Sequence, residues 1–188
     1  MPHLIDITSP VMTTTVVSPI GLLTLTWERD ALTGLHMQHQ AHSPRQLVEP
    51  VRDQGPFAEV TGQLEAYFAG SLTKFEVPLR LTGTPFQRAV WAALADIPYG
   101  ETRSYSQIAT AVGKPSARRA VGLANGRNPV ALIVPCHRVI SADGTIGGYG
   151  GGLDRKRYLL DLELRVVARH KREAAVEANG PSTASKGK

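Results

Sequence analysis

The sequence predicts an α+β fold, in which a small N-terminal α/β domain precedes a mainly helical C-terminal domain with a helix-turn-helix. Apolar and polar residues alternate at strand spacing in about the first 80 residues. After Thr84, apolar residues recur instead at helical spacing, and two short helical patterns flank Gly113. The predicted domains are residues 1–83 and 84–169, followed by a basic, disordered tail over residues 170–188.

The N-terminal domain contains three predicted strands and one helix. The segment "LLTLTW" follows the turn "SPIG" and places Leu23, Leu25 and Trp27 on one face. Residues 32–37 read as the neighbouring strand, and residues 74–82 alternate apolar and polar side chains in the same way. Between them, a helix ending at Gly70 is indicated by apolar residues at helical spacing, namely Phe57, Val60, Leu64 and Phe68. We expect no chemistry from this domain.

The C-terminal domain opens with a helix that Thr84 caps and that has Pro85 in its first turn. Its apolar stripe consists of Phe86, Val90, Trp91 and Leu94. Residues 104–126 then read as two short helices with a glycine turn at Gly113, the outline of a helix-turn-helix. Such helix pairs are also common packing units, so the pattern alone leaves DNA binding open.

The remaining elements surround the single cysteine. Residues 130–134 form an apolar run that predicts a buried strand, and residues 144–152 hold six glycines, which predicts a loop close to a ligand or to another backbone. A last helix is predicted from about Asp154, with Tyr158, Leu159, Leu162 and Val166 facing inward.

Positive charge is concentrated in the second half of the chain. Residues 1–84 carry 5 Lys and Arg against 8 Asp and Glu, residues 85–164 carry 10 against 6, and residues 165–188 carry 6 against 2. This asymmetry suits a polyanionic partner, although a solvated basic face is the simpler explanation from charge alone. The second predicted helix of the pair adds Arg118 and Arg119 beside small residues that allow close approach to a phosphate backbone, namely Ala117, Ala120, Gly122 and Ala124. Some of these alanines must instead face the core.

One cysteine among 188 residues cannot form an internal disulfide, and we find no leader-like or long apolar segment. We therefore expect a cytoplasmic protein, associated with the nucleoid when bound to DNA, and no membrane partner. The six histidines lack paired metal spacing, and we interpret His36, His39 and His42 as residues of a polar loop. We predict no metal and no cofactor.

Cys136 has two readings. A lone intracellular cysteine is usually a buried apolar residue, but His137 and Arg138 follow it and offer a base and a positive charge that favour thiolate. Adjacent residues of a strand point to opposite faces, so contact between the thiol and His137 would need a turn or a bridging water.

The segment "IVPCHRV" around Cys136, "NPV" and "ARRAVGLANG" before it, and "YGGG" after it resemble the 6-O-alkylguanine-DNA alkyltransferases. These are also called methylated-DNA–protein-cysteine methyltransferases. The resemblance extends from about Ser18 to Glu163 and is dense from Thr84 onward. It implies a ribonuclease H-like N-terminal domain and one irreversible transfer of an alkyl group from the exocyclic oxygen of guanine in duplex DNA to Cys136.

The resemblance also implies residue roles. His137 would deprotonate the thiol through a water, Glu163 would orient His137, and Asn128 would tie the recognition helix to the active site. In the guanine pocket, Tyr105 would meet a ring nitrogen, the carbonyls of Val139 and Cys136 would accept from the amino group, Gly150 N–H would meet the alkylated oxygen, and Tyr149 would form a wall. Arg119 would enter the duplex from a helix lying in the minor groove while the base is turned out.

The chain departs from the family pattern at Gly150, where some relatives have serine, and at Arg118, where many have a small uncharged residue. Arg118 is therefore expected to contact phosphate, with Ala117, Ala120 and Gly122 beside the groove. The zinc ligands of some relatives are missing. We expect a monomer and leave cooperative DNA binding open. Two alternatives remain: a DNA-binding module that only recognises alkyl lesions, and a cysteine hydrolase with repeated turnover.

Overall fold

A computed structural model describes residues 11–40 and 55–178 of the chain. The N-terminal unit is a sheet in the order β1 (Val11–Ser18), β2 (Gly21–Glu28) and β3 (Ala31–Met37), with antiparallel neighbours. The predicted face of β2 is confirmed, because Leu23, Leu25 and Trp27 are all buried. β1 was not predicted. Its run of threonines gives no alternation of apolar and polar residues, although Thr13 and Thr14 are buried.

Helix α1 (Ala58–Phe68) packs on this unit and ends two residues before Gly70, which has a φ of 72°, close to the end that the pattern predicted. Residues 74–82 are not a strand, contrary to prediction. They pair with β3 only at Leu79, through Leu32 N to Pro78 O (2.9 Å) and Arg80 N to Leu32 O (3.0 Å). Pro78 has no N–H to extend the pairing. The alternating side chains still pack against the core, so the apolar pattern reflected burial rather than a strand.

The helical unit starts with α2 (Pro85–Ala95), and the predicted cap is confirmed. Thr84 Oγ1 accepts from Gln87 N at 3.2 Å, and Gln87 Oε1 accepts from Thr84 N at 2.9 Å. Next come β4 (Arg103–Ser104), α3 (Tyr105–Ala111) and α4 (Arg118–Gly126), so the predicted helix pair is present. β4 pairs in parallel with β5 (Val139–Ile140), which follows the cysteine.

The last helix, α5 (Leu153–Ala178), corrects the predicted tail, because residues 170–178 are helical and exposed. Good helix formers, such as Lys171, Arg172 and Ala175, continue the helix there without apolar contacts. Residues 179–188 lie outside the described residues, as does His42. Within the described ranges, no helix has the length and apolar character needed to cross a bilayer.

The two units share one core. Leu35 of β3 donates to Pro129 O (2.9 Å) and accepts from Ala131 N (3.0 Å), so the N-terminal sheet contacts the segment before Cys136. Arg155 of α5 donates to Ile20 O (2.7 Å) and Gln38 O (2.8 Å). His36 lies in β3 and is buried, which corrects its interpretation as a loop residue, and this burial lowers its pKa.

Candidate active site

The segment that carries Cys136 is a turn rather than the predicted strand. Leu132 has a φ of 71°, and Val134 N donates back to Val130 O at 3.0 Å, so residues 130–134 fold back on themselves although they are buried. Cys136–Arg138 follows as one 3-10 turn. Consecutive side chains therefore do not alternate between two faces. This is the turn that, according to the sequence analysis, an interaction between Cys136 and His137 would need.

Asn128 holds this turn. Its Nδ2 donates to Val134 O at 2.7 Å, and its Oδ1 accepts from Val130 N at 3.1 Å. The side chain also hydrogen-bonds the thiol of Cys136. Asn128 thus joins the end of α4 to the active-site turn, the position that the resemblance implied.

Cys136 is only 5% exposed, yet it lines a cavity of about 270 Å³. Five more of the predicted site residues line the same cavity: Tyr105, Gly122, Asn128, Tyr149 and Gly150. The cavity wall also includes Gln40 and Asn125, which the sequence did not indicate. Val139, His137 and Glu163 are not part of the wall, and all three are buried.

The thiol is not activated in the way the sequence suggested. Burial raises the pKa of Cys136, and it is opposed by a hydrogen bond from Asn128, by the charge of Lys156 and by the nearby Tyr149 hydroxyl. Arg138 does not serve the thiol, because its guanidinium is committed to Glu163 and to Ile97 O (2.6 Å). In the absence of substrate, the resting form is therefore the neutral thiol.

Glu163 on α5 gathers donors from both units. Within the described residues its Oε1 accepts from Tyr67 Oη (2.7 Å), His137 Nε2 (2.8 Å) and Arg138 Nη2 (2.9 Å). Its Oε2 accepts from Arg138 Nε (2.9 Å) and Gly100 N (3.0 Å). Burial alone would raise the pKa of Glu163, but the hydrogen bonds from His137 and Arg138 and the charge of Arg138 lower it to about 2. The group is a carboxylate at neutral pH.

The carboxylate fixes the tautomer of His137. Since an ionised carboxylate only accepts hydrogen bonds, Nε2 carries the proton. Nδ1 is buried and has no hydrogen-bond partner among the described residues, so it is the nitrogen left to take a proton. Burial lowers the pKa of His137, against the raising effect of Glu163. A neutral imidazole with a free acceptor nitrogen is what a general base requires.

Gly100 allows one of these contacts for a steric reason. Its φ is 75°, and a Cβ there would lie 2.6 Å from Val167 Cγ2. Only glycine therefore brings this N–H to Glu163 without strain.

Lys156 is a buried cation that the sequence did not reveal. Its Nζ donates to Val139 O (2.6 Å) and Gly147 O (3.2 Å), so it joins β5 to the glycine-rich loop. Burial lowers its pKa to about 8, while the charge of Cys136 thiolate acts in the opposite direction. Lys156 is the cation whose charge favours thiolate, a part that we had given to Arg138.

Helix α4 presents the predicted surface. Arg118, Arg119 and Ala120 are exposed, and Ala117 and Gly122 are partly exposed. Leu123 is 65% exposed on the same helix. Ala124 faces the core, as expected for some of the alanines, and its carbonyl accepts from Trp91 Nε1 at 2.9 Å. A Cβ at Gly122 would lie 3.8 Å from the ring of Tyr105, so the helix surface adjoins the cavity.

The sequence did not identify Tyr67, Arg138 and Lys156 in these roles. Tyr67 and Lys156 are polar residues of helices α1 and α5, and Arg138 belongs to the segment "IVPCHRV". When such a polar side chain is buried, it usually has a specific partner. The sequence alone cannot supply that partner, because Tyr67 and Glu163 are 96 positions apart.

Comparisons with known proteins follow the same division of the chain. Residues 85–165 match the family model described as "6-O-methylguanine DNA methyltransferase, DNA binding domain". Residues 11–81 match the model described as "6-O-methylguanine DNA methyltransferase, ribonuclease-like domain". The predicted α+β fold and its ribonuclease-like first unit are thereby confirmed.

Two relatives carry the name methylated-DNA--protein-cysteine methyltransferase. The one from Mycobacterium tuberculosis is 57% identical over 149 residues, which are 79% of this chain and 90% of the relative. The one from Methanosarcina acetivorans is 50% identical over 146 residues, or 78% and 94% of the two chains. A crystal structure of Mycobacterium tuberculosis OGT in complex with DNA superposes with a TM-score of 0.79 at 56% identity, covering 83% of this chain and 94% of that one.

Proposed function

The chain belongs to the 6-O-methylguanine DNA methyltransferase family, and we propose that it repairs DNA by moving an alkyl group from 6-O-alkylguanine in a duplex onto Cys136. One observation carries the assignment of this residue. The only cysteine of the chain lines a cavity that opens beside the arginine-bearing helix α4 and is backed by the His137–Glu163 pair.

The cavity suits a flat base. Its volume of about 270 Å³ is close to the lower end of small-molecule pockets, and its walls combine an aromatic ring, a glycine-rich loop and polar side chains. Tyr105 and Tyr149 border it, and Gly148, Gly150 and Gly151 leave backbone N–H groups without side chains in front of them. We assign Gly150 N–H to the alkylated oxygen and the carbonyl of Cys136, which belongs to the cavity wall as Val139 does not, to the amino group of guanine.

The chemistry is a substitution at saturated carbon. The thiol proton passes to His137 Nδ1 through a water, Cys136 Sγ forms a bond to the alkyl carbon, and the bond from that carbon to guanine O6 breaks. Guanine leaves with the electron pair of that bond and is neutralised with the help of the Tyr105 hydroxyl. The product is a thioether that nothing in this site regenerates, so each molecule reacts once.

The raised pKa of Cys136 fits this order of events. A thiol that stays neutral until substrate arrives is protected from adventitious alkylation and oxidation, because the thiolate is the reactive form. Proton transfer to His137 then coincides with attack, while the ionised Glu163 stabilises the imidazolium that results.

DNA access requires base flipping, since the reacting carbon lies inside the base stack. We assign Arg119 to the gap left in the duplex and Arg118 to phosphate. Ala117, Ala120 and Gly122 offer a low surface that lets α4 approach the floor of the minor groove. The partner is duplex DNA containing 6-O-alkylguanine, and we propose that the protein acts as a monomer in the cytoplasm, on nucleoid DNA.

The test is direct. The protein is incubated with a duplex oligonucleotide carrying one 6-O-methylguanine and digested, and the peptide containing Cys136 is examined by mass spectrometry. We expect a gain of one methyl group on Cys136, at most one per protein molecule, and none with an unmodified duplex. Binding without modification would indicate the lesion-recognising module, and repeated turnover would indicate a hydrolase.

A further inference from the structure

We infer that Tyr67, from the N-terminal unit, is a positioning residue for alkyl transfer. Its hydroxyl fixes the Glu163 carboxylate and weakens the hydrogen bond that this carboxylate accepts from His137. This inference rests on the proposed function. It assigns to the ribonuclease-like unit a direct part in the chemistry that we had not expected of it.

The contact is short and fully enclosed. Tyr67 and Glu163 are both 0% exposed, and the hydroxyl donates to Oε1 at 2.7 Å. Burial and the nearby carboxylate raise the pKa of Tyr67 well above its ordinary value, so the hydroxyl is a donor at neutral pH. No other polar atom of helix α1 hydrogen-bonds this carboxylate within the described residues.

Tyr67 shares its acceptor atom with the catalytic base. Oε1 also accepts from His137 Nε2 at 2.8 Å, so two donors compete for the charge on one oxygen. Each donor to a carboxylate draws off negative charge that the others would otherwise feel. The Tyr67 hydroxyl therefore weakens the interaction between Glu163 and the His137 N–H. A weaker interaction raises the pKa of His137 less, so the imidazole stays neutral and can accept a proton.

The ring is held so that the hydroxyl cannot swing away. Its centroid lies 5.2 Å from that of Phe75, 5.3 Å from Phe68 and 5.8 Å from Tyr99. Phenylalanine at position 67 would fill the same space equally well. The hydroxyl must therefore be explained by what it contacts, because a purely apolar role would leave a costly polar group in the core.

Other charged or titratable groups around the pair are accounted for. Arg138 neutralises Glu163 from the active-site turn, Lys156 of α5 opposes the protonation of His137, and Tyr99 stays neutral because burial raises its pKa to about 12. None of them changes charge when the Tyr67 hydroxyl is removed, so the effect of that removal can be traced to Oε1.

The matched experiment compares Tyr67→Phe with Tyr99→Phe. Both remove one buried hydroxyl from the same aromatic cluster, but the Tyr99 hydroxyl has no hydrogen-bond partner among the described residues. The single-turnover rate of methyl transfer is measured against pH with the full-length chain. For Tyr67→Phe we expect the midpoint of the rise in rate with pH to move upward by roughly half a unit or more, the scale expected when a charged group loses one donor. At pH values well below the midpoint, the rate should fall about threefold for such a shift.

Tyr99→Phe should leave the midpoint in place, and ¹⁵N chemical shifts of the His137 ring should report a raised pKa only in Tyr67→Phe. Rates on the free 6-O-methylguanine base and on the duplex should fall by the same factor, since Tyr67 acts after the base has been flipped. A Tyr67→Phe protein that is less stable but has an unmoved midpoint would overturn the inference. A wild-type protein that leaves Cys136 unmodified would instead overturn the proposed function.

Discussion

Arg138 and Glu163 form a two-point ion pair in the interior, with Nε 2.9 Å from Oε2 and Nη2 2.9 Å from Oε1. The guanidinium also donates to Ile97 O at 2.6 Å and lies 5.4 Å from the centroid of the Tyr99 ring. Arg138 thus helps to hold the carboxylate of Glu163 in place. It does not activate the thiol, because all these contacts are with other groups.

Acid should destabilise the protein through this pair. The pKa of Glu163 is about 2 when folded, against an ordinary value of 4.5, so the stabilisation is complete above about pH 4.5. This stabilisation is lost as pH falls from 4.5 toward 2, because in that range Glu163 is protonated in the unfolded chain but still ionised in the folded protein. This difference between the folded and ordinary pKa values corresponds to about 3 kcal/mol in the free energy of unfolding. His137, whose folded pKa is lowered, adds a loss that begins below its ordinary value of 6.5.

Urea denaturation from pH 2 to 8 checks this prediction with Glu163→Gln. At pH 7 the variant should be less stable by about 3 to 5 kcal/mol, because it leaves Arg138 as an uncompensated buried charge. It should also lack the part of the acid dependence between pH 4.5 and 2. Glu101→Gln is the control, since its carboxylate is 52% exposed and pairs with Arg103 at the surface. Equal stability of both variants would contradict the assignment.

Lys156→Met should impair the reaction and the fold together. Without the Lys156 charge, the pKa of Cys136 should rise further, and each unit of rise corresponds to about a tenfold lower thiolate population at a given pH. The carbonyls of Val139 and Gly147 would lose their donor, at a cost of about 1 to 3 kcal/mol. Single-turnover rates against pH and urea denaturation measure the two effects.

Arg157→Met is the matched control for Lys156→Met. It removes the neighbouring cation, whose side chain is 55% exposed and pairs only with Asp154 one turn away in the described residues. We expect wild-type rates and stability from it, within about 0.5 kcal/mol. If Lys156→Met transferred methyl groups at the wild-type rate across the pH range, its charge would have no part in forming the thiolate.

Arg119→Ala should separate base flipping from chemistry. Extrusion of a base costs a few kcal/mol, so loss of the inserting side chain should slow repair of duplex by roughly a hundredfold. Reaction with the free 6-O-alkylguanine base needs no extrusion and should be unaffected. The two substrates are compared by single-turnover kinetics on the same preparation.

Arg118→Ala supplies the contrast, since both arginines are exposed on the first turn of α4. A phosphate contact should appear as weaker duplex binding and as a salt dependence of binding whose slope is smaller by about one. Its maximal rate at low salt should be unchanged. If Arg118→Ala were the variant with the selective loss on duplex, the inserting residue would be Arg118.

The elements that the sequence predicted best are those whose signals are local. Helix α2 is specified by Thr84 and Pro85 next to a 3.6-residue stripe, and the helix pair by two short helical patterns on either side of Gly113. The errors arose where tertiary contacts override an apolar pattern. The buried run before Cys136 turns at Leu132, and the alternating run around Pro78 makes only one bridge to β3.

The residues around Cys136, His137 and Glu163 were likewise predictable only where a local motif marks them. Motif identity indicated Cys136, His137 and Glu163, and the structure places the last two in direct contact. The supporting residues come from α1, the start of α5 and the motif itself, and no spacing rule connects them. Tyr67 resembles any half-apolar helix residue until the fold brings it to the carboxylate.

Cys136→Ser should keep duplex binding and abolish transfer. The replacement is nearly isosteric, and the position is 5% exposed, so the cavity and helix α4 should be preserved. A serine hydroxyl ionises far less readily than a thiol and is a poorer nucleophile toward saturated carbon. Gel-shift titration with methylated and unmodified duplexes should give wild-type affinities, while mass spectrometry should find no methylated peptide. Transfer that persisted in this variant, which has no cysteine, would place the acceptor elsewhere in the chain, and the cavity beside α4 would then need a different explanation.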